Sequence, residues 1–77
     1  MPRLQESVIC GTVTWRGASV PVRVRFTALL PEPTGHLECA VAFPVGVGLP
    51  LRLDDGRGAL VVIVGGGNQF LGVRPLE

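Results

Sequence analysis

The chain has 77 residues, of which 47% are hydrophobic and 17% charged, with a formal net charge of +1. A chain this short is a single domain that buries about 60% of its unfolded surface, and its apolar excess predicts surface covered by a second copy or by another protein. The near-neutral balance excludes the broad basic field that draws in nucleic acid or an anionic membrane. All seven basic residues are arginine, which excludes a Schiff-base lysine and the lysine of a phosphate-binding loop. Two cysteines, Cys10 and Cys39, are too few for a secreted disulfide framework. No charged-then-apolar leader opens the sequence, and no apolar run approaches the ~20 residues of a membrane span. The expectation is a cytoplasmic protein with reduced thiols and no cofactor.

Residues 1–7, "MPRLQES", are polar and read as a flexible arm; residues 8–77 read as one β domain. The first predicted strand is "VICGTVTW" (8–15), with Ile9, Val13 and Trp15 on one side and Thr12 and Thr14 on the other. "RGA" (16–18) turns the chain, Gly17 supplying positive φ. "SVPVRVRFTAL" (19–29) alternates most cleanly, with Val22, Val24 and Phe26 inward and Arg23 and Arg25 outward. Pro21 cannot donate to a ladder, so it predicts an edge or a bulge. A loop over 30–36, "LPEPTGH", leads to a third strand, "LECAVAF" (37–43), with Leu37, Cys39, Val41 and Phe43 inward.

"PVGVG" (44–48) turns into "LPLRL" (49–53), with Leu49, Leu51 and Leu53 inward and Arg52 outward. "DDGRG" (54–58) is the strongest turn signal, because Asp-Gly suits the primed hairpin turns. The fifth strand, "ALVVIV" (59–64), lacks polar alternation, so it is buried on both faces or lies at an interface. "GGGN" (65–68) turns it into "QFLGVR" (69–74). No window carries a capped helical period. Six short strands linked by tight turns describe an all-β fold, a small antiparallel six-stranded barrel or half-open roll with little helix.

Chemistry-bearing clusters are scarce. The glycine pairs at 46–48, 56–58 and 65–67 each run into a strand, so no helix N-terminus is there to meet a pyrophosphate. His36, the only histidine, is a loop-edge residue on the same face as Glu38, while Cys39 points the other way. With Cys10 and Cys39 read as small core thiols, no four-ligand metal site assembles. Asp54 and Asp55 are turn formers rather than a facing acid–base pair, and Ser7 and Ser19 lie in no nucleophile elbow. The expectation is no catalytic residue, no metal and no enzyme. Arg16, Arg23, Arg25 and Arg52 form the outer face, either as a wet surface ion-paired to Glu38 or Asp54 or as an anion site.

The segment "FPVGVGLPLRLDDGRGALVVIVGGGNQFLGVRPLE" (43–77) resembles the second half of a PilZ domain, and "GTVTWRGASVPVRVRF" (11–26) supplies the two leading barrel strands of that pattern. Members that bind cyclic di-GMP carry an R-x-x-x-R arm and a D/N-x-S-x-x-G stretch. Here the arm has Arg3 but Ser7 in the second arginine's place, and the loop has Glu32 and Thr34 with Gly35 two positions early. The resemblance therefore implies a degenerate PilZ-like barrel that acts through protein contacts. The closing "GALVVIVGGGNQFLGVRPLE" (58–77) also resembles the SpoA domains of flagellar-switch and type III secretion proteins, which implies an interlocked, ring-assembling dimer.

The leading expectation is a non-catalytic module that self-associates or docks in a larger bacterial assembly through an apolar edge near 59–64, with Val61, Ile63 and Phe70 as interface or core residues. The first alternative is capture of a phosphate-bearing small molecule, such as a cyclic dinucleotide, by Arg23, Arg25 and Arg52. The second is an oligonucleotide-binding barrel, which the charge balance and the lack of stacking aromatics disfavour.

Overall fold

The computed structural model of the chain describes residues 7–29 and 31–74. The arm expected over 1–7, apart from Ser7, and the closing residues 75–77 lie outside them. The fold is all-β, with strands β1 (Ser7–Trp15), β2 (Ala18–Ala28), β3 (Thr34–Glu38), β4 (Gly48–Leu53), β5 (Gly58–Gly65) and β6 (Gln69–Gly72). Every neighbouring pair is antiparallel, and the order β1-β2-β3-β6-β5-β4 closes into a barrel rather than a half-open roll.

Alternation decides the interior. Val13, Val22, Val24, Phe26, Leu37, Leu49, Leu51, Leu53, Val61, Ile63 and Phe70 point inward and are buried, with Phe43 added from a connecting segment. Phe26 and Phe70 meet edge to face, their ring centroids 6.1 Å apart. A six-stranded barrel is narrow, and glycine stands where strands crowd. A Cβ at Gly11 would collide with the Arg52 carbonyl across the β1–β4 seam, and one at Gly35 with the Arg25 carbonyl.

Two turns differ from the simplest sequence reading. Between β1 and β2, both Arg16 (φ 52°) and Gly17 (φ 79°) are left-handed, a two-residue primed turn in which the arginine takes a position that favours asparagine or glycine. The Arg16 guanidinium lies 5.0 Å from the Trp15 ring centroid, an attraction that offsets part of the strain. The β4–β5 connection is not a primed turn. Leu53 O accepts from Gly56 N (3.0 Å), Leu53 N donates to Arg57 O (2.8 Å), and Gly56 alone has positive φ (96°). This is a three-residue loop with a glycine bulge, which Asp-Gly also suits.

The third strand is the main correction. It was expected over 37–43, but β3 covers Thr34–Glu38 and leaves the sheet after Glu38. The cause is Pro21. Hydrogen-bonded pairs on β2 alternate from the Trp15–Ala18 closing pair, so Arg23 and Arg25 bond toward β3, opposite Glu38 and His36. The next such pair would join Pro21 to Ala40, and proline has no N–H to give. The expected edge at Pro21 is therefore present. His36, expected in a loop, lies within β3, opposite Arg25 on β2 and Gln69 on β6.

Residues 39–43 keep the predicted inward alternation, with Cys39 and Val41 half-buried and Phe43 buried, but their backbone bonds go to a side chain. Asn68, in the β5–β6 turn, accepts from Phe43 N at Oδ1 (2.8 Å). Its Nδ2 donates to the carbonyls of Val41 (2.7 Å) and Leu37 (3.2 Å). Its own carbonyl accepts from Leu37 N (3.0 Å). The segment so held brings Phe43 edge-on to Trp15, with centroids 5.6 Å apart, and closes that end of the barrel.

Asn68 is buried and has φ 57°. Asn68→Ala is expected to lower the unfolding free energy by about 3 kcal/mol, since buried backbone groups lose their partners. Asn68→Gly loses the same bonds but relieves the left-handed backbone, so it is expected to cost about 1 kcal/mol less than alanine. Urea denaturation measures both. A neutral Asn68→Ala would remove the amide's role, and equal alanine and glycine variants would remove the backbone term.

Candidate functional site

The outer surface of the barrel divides into two unlike halves. On β1, β2 and β3 the outward positions carry Cys10, Thr12, Thr14, Ser19, Arg23, Thr27, His36 and Glu38, all exposed, with Val8 the apolar exception at 37% exposure. On β4, β5 and β6 most outward side chains are apolar, with Arg52 and Gln69 the polar ones. Leu60 is 38% exposed, Val64 47%, Leu71 43% and Val73 50%, with Val62 half-buried between them.

Register makes these residues one patch. Val62 lies opposite Leu71 on β6 and Gly48 on β4, and Leu60 lies opposite Pro50. Val73 N donates to Leu60 O (2.8 Å), which extends the β5–β6 ladder by one pair and sets Val73 beside Leu60. A register shift between Ile63 and Gly65 makes Val64 the extra residue of a bulge. Of the residues expected as interface or core, Val61 and Ile63 are fully buried and Phe70 is 1% exposed, so all three are core. The outward apolar residues are their chain neighbours. Closure leaves β5 no edge, so the surface it offers is a face instead of the expected apolar edge.

The expected anion-binding arginines do not converge. Arg23 is opposite Glu38, and Arg25 Nε donates to Glu38 Oε2 at 2.9 Å. The Arg25 hydrogen bond holds the Glu38 carboxyl below its ordinary value of 4.5, helped by Arg23 and His36. Arg52 stands on the far side of β1, opposite Thr12, about 10 Å from β2 at normal strand spacing. The expected ion pairing to Glu38 is thus formed. Asp55 instead serves its own turn: Arg57 N and Nε donate to its carboxylate at 3.0 and 2.8 Å, and the Arg57 side chain holds its titration below the ordinary 3.8.

The two thiols behave differently from the expected pair of core cysteines. Cys10 is exposed, because it alternates outward with Thr12, while Cys39 is half-buried and donates from Sγ to Val41 O at 3.3 Å. Among the described residues, no group of three His, Cys, Asp or Glu side chains is placed to hold a metal ion.

Sequence reasoning passed over Arg74 and Asn68. Arg74 looked like the tail of a strand, and Asn68 like a turn residue. The only available signal for Asn68 was an asparagine closing a run of glycines, which suits a left-handed backbone as well as a buried amide. The apolar face did have a signal, in the unbroken apolar run of 59–64. No family model matches the chain, and neither does any curated protein or solved structure.

Since Glu38 ionises more readily in the fold, the Arg25–Glu38 pair supports the fold above pH 4.5 and is lost as pH falls through the lowered value. Arg25→Gln is expected to move the Glu38 titration upward, toward 4.5, in a carbon-detected NMR titration. An unmoved midpoint would mean that Arg25 is not its main partner.

Proposed function

We propose that this chain is a non-catalytic β-barrel module that works through protein–protein contact, with the outer face of β4, β5 and β6 as its docking surface. One observation carries the reading: Leu60, Val62, Val64, Leu71 and Val73 form a continuous outward apolar patch on a barrel whose core is already complete inside. An antiparallel sheet normally turns its second face to water and places polar residues there, as β2 does. Among the described residues, no further layer of the chain covers this face. Apolar surface of this continuity marks an interaction site.

Two alternatives draw less support. The phosphate-bearing ligand needed Arg23, Arg25 and Arg52 together, and Glu38 already occupies Arg25. An oligonucleotide platform needs outward aromatics, whereas Phe26, Phe43 and Phe70 are all core. The PilZ-like kinship remains part of the proposal, in its degenerate, contact-making form.

A photoreactive amino acid placed at Leu71, in cells expressing the chain, is expected to give a discrete crosslinked product, either a dimer of the chain or a second protein. The same group at Thr12, on the polar half, is expected to give none. No product from position 71, or equal products from both positions, would overturn the assignment of the face.

A further inference from the structure

The apolar face ends in a notch between two arginines. Arg52 on β4 lies opposite Gly58 on β5, and Arg74 follows Val73, the residue bonded to Leu60. Gly58 carries no side chain, so the surface drops beside Arg52, and Arg74 lines the same space. Gly56, Gly58, Pro50 and Leu60 complete an open notch of about 370 Å³. Among the described residues, no acidic side chain lines it. Arg57, its neighbour in the turn, is ion-paired with Asp55 at 2.8 Å, but neither Arg52 nor Arg74 has an ion pair among the described residues.

Two arginines that line one small space repel each other, and a guanidinium takes an oxyanion through paired N–H donors. Resting on the reading of the face as a docking surface, we propose that this notch receives a carboxylate carried by the protein that covers the face. Pro50 and Leu60 belong to both the notch and the patch, so an occupant of one touches the other. A carboxylate is the anion a covering protein brings, through Asp, Glu or its C-terminus, and two arginines suit it. A second copy of the chain fits the notch less well. Among the described residues, its own β4–β6 face brings apolar groups and arginines but no carboxylate.

The probe is the capped tripeptide acetyl-Val-Glu-Val-amide, titrated into labelled protein and followed by NMR, with the Gln analogue and inorganic pyrophosphate as parallel arms. The Glu peptide is expected to give saturable shifts at Gly56, Gly58, Leu60 and the Arg52 and Arg74 side chains, and the Gln analogue none. Replacing both arginines, Arg52→Gln with Arg74→Gln, is expected to weaken binding about tenfold or more, while Arg23→Gln leaves it unchanged. Equal shifts from the Glu and Gln peptides would overturn the carboxylate assignment, as would shifts from pyrophosphate alone or an unaffected double variant. Sedimentation that shows a dimer broken by the double variant would hand the notch to a second copy and overturn the proposed partner. Because the titration needs no partner, its failure is separate from a failure of crosslinking at Leu71, which tests the face itself.

Discussion

The amide of Asn68 is the contact on which the rest of the barrel's geometry depends. One side chain takes a backbone N–H from Phe43 and gives hydrogen bonds to the carbonyls of Val41 and Leu37, while its own carbonyl binds Leu37 N. These bonds tie the end of β3, the crossover from β3 to β4 and the β5–β6 turn at one point. The need for it begins at Pro21, which denies Ala40 a ladder partner and forces the chain out of the sheet. A segment leaving a sheet toward the core brings unsatisfied backbone groups with it, and burying those without partners is costly. Asn68 satisfies them, which lets Phe43 meet Trp15 over the barrel's end.

Closure frees the outside of the barrel to differentiate. With every described strand paired on both sides for at least part of its length, no long edge needs covering, and the outward residues do not decide the fold. The β1–β3 half uses that freedom for solvation. Its Arg25–Glu38 pair is exposed, so it adds little stability and mainly keeps that surface wet. The β4–β6 half does the reverse, presenting branched and apolar side chains where polar ones would cost nothing in folding. This contrast between the two halves is what the proposed docking role rests on.

Inward alternation was legible in the sequence: Val22, Val24 and Phe26, the three leucines of β4, and Val61, Ile63 and Phe70 all follow from period-two patterning. Strand existence and order along the chain follow from the same signal and from glycine turns. The end of β3 was not legible, because the pattern over 37–43 is that of a strand and only the pairing register shows that Ala40 would have fallen opposite Pro21. Cys10 reads in the sequence as a small core thiol, yet its place between the inward Ile9 and Gly11 turns it outward. The notch was invisible for a different reason. Arg52 and Arg74 are far apart in sequence, and their nearness depends on the β4–β5–β6 register and on a glycine whose contribution is the side chain it lacks.

If the face docks a partner as proposed, the placement of the arginines gives it a direction. An apolar surface alone accepts many partners in many orientations, because burial is non-directional. Arg52 and Arg74 at one end change that. A partner without an acidic group at the matching place would strip water from two guanidinium groups and return nothing, which is the repulsive half of specificity. A partner with one gains a charge-assisted contact at a single fixed position along β5. The same residue type on the other half of the barrel lacks this effect, since Glu38 already answers Arg25 within the chain. On the proposed reading, what separates a wet arginine from a recognising one in this fold is whether the described residues of the chain supply its carboxylate.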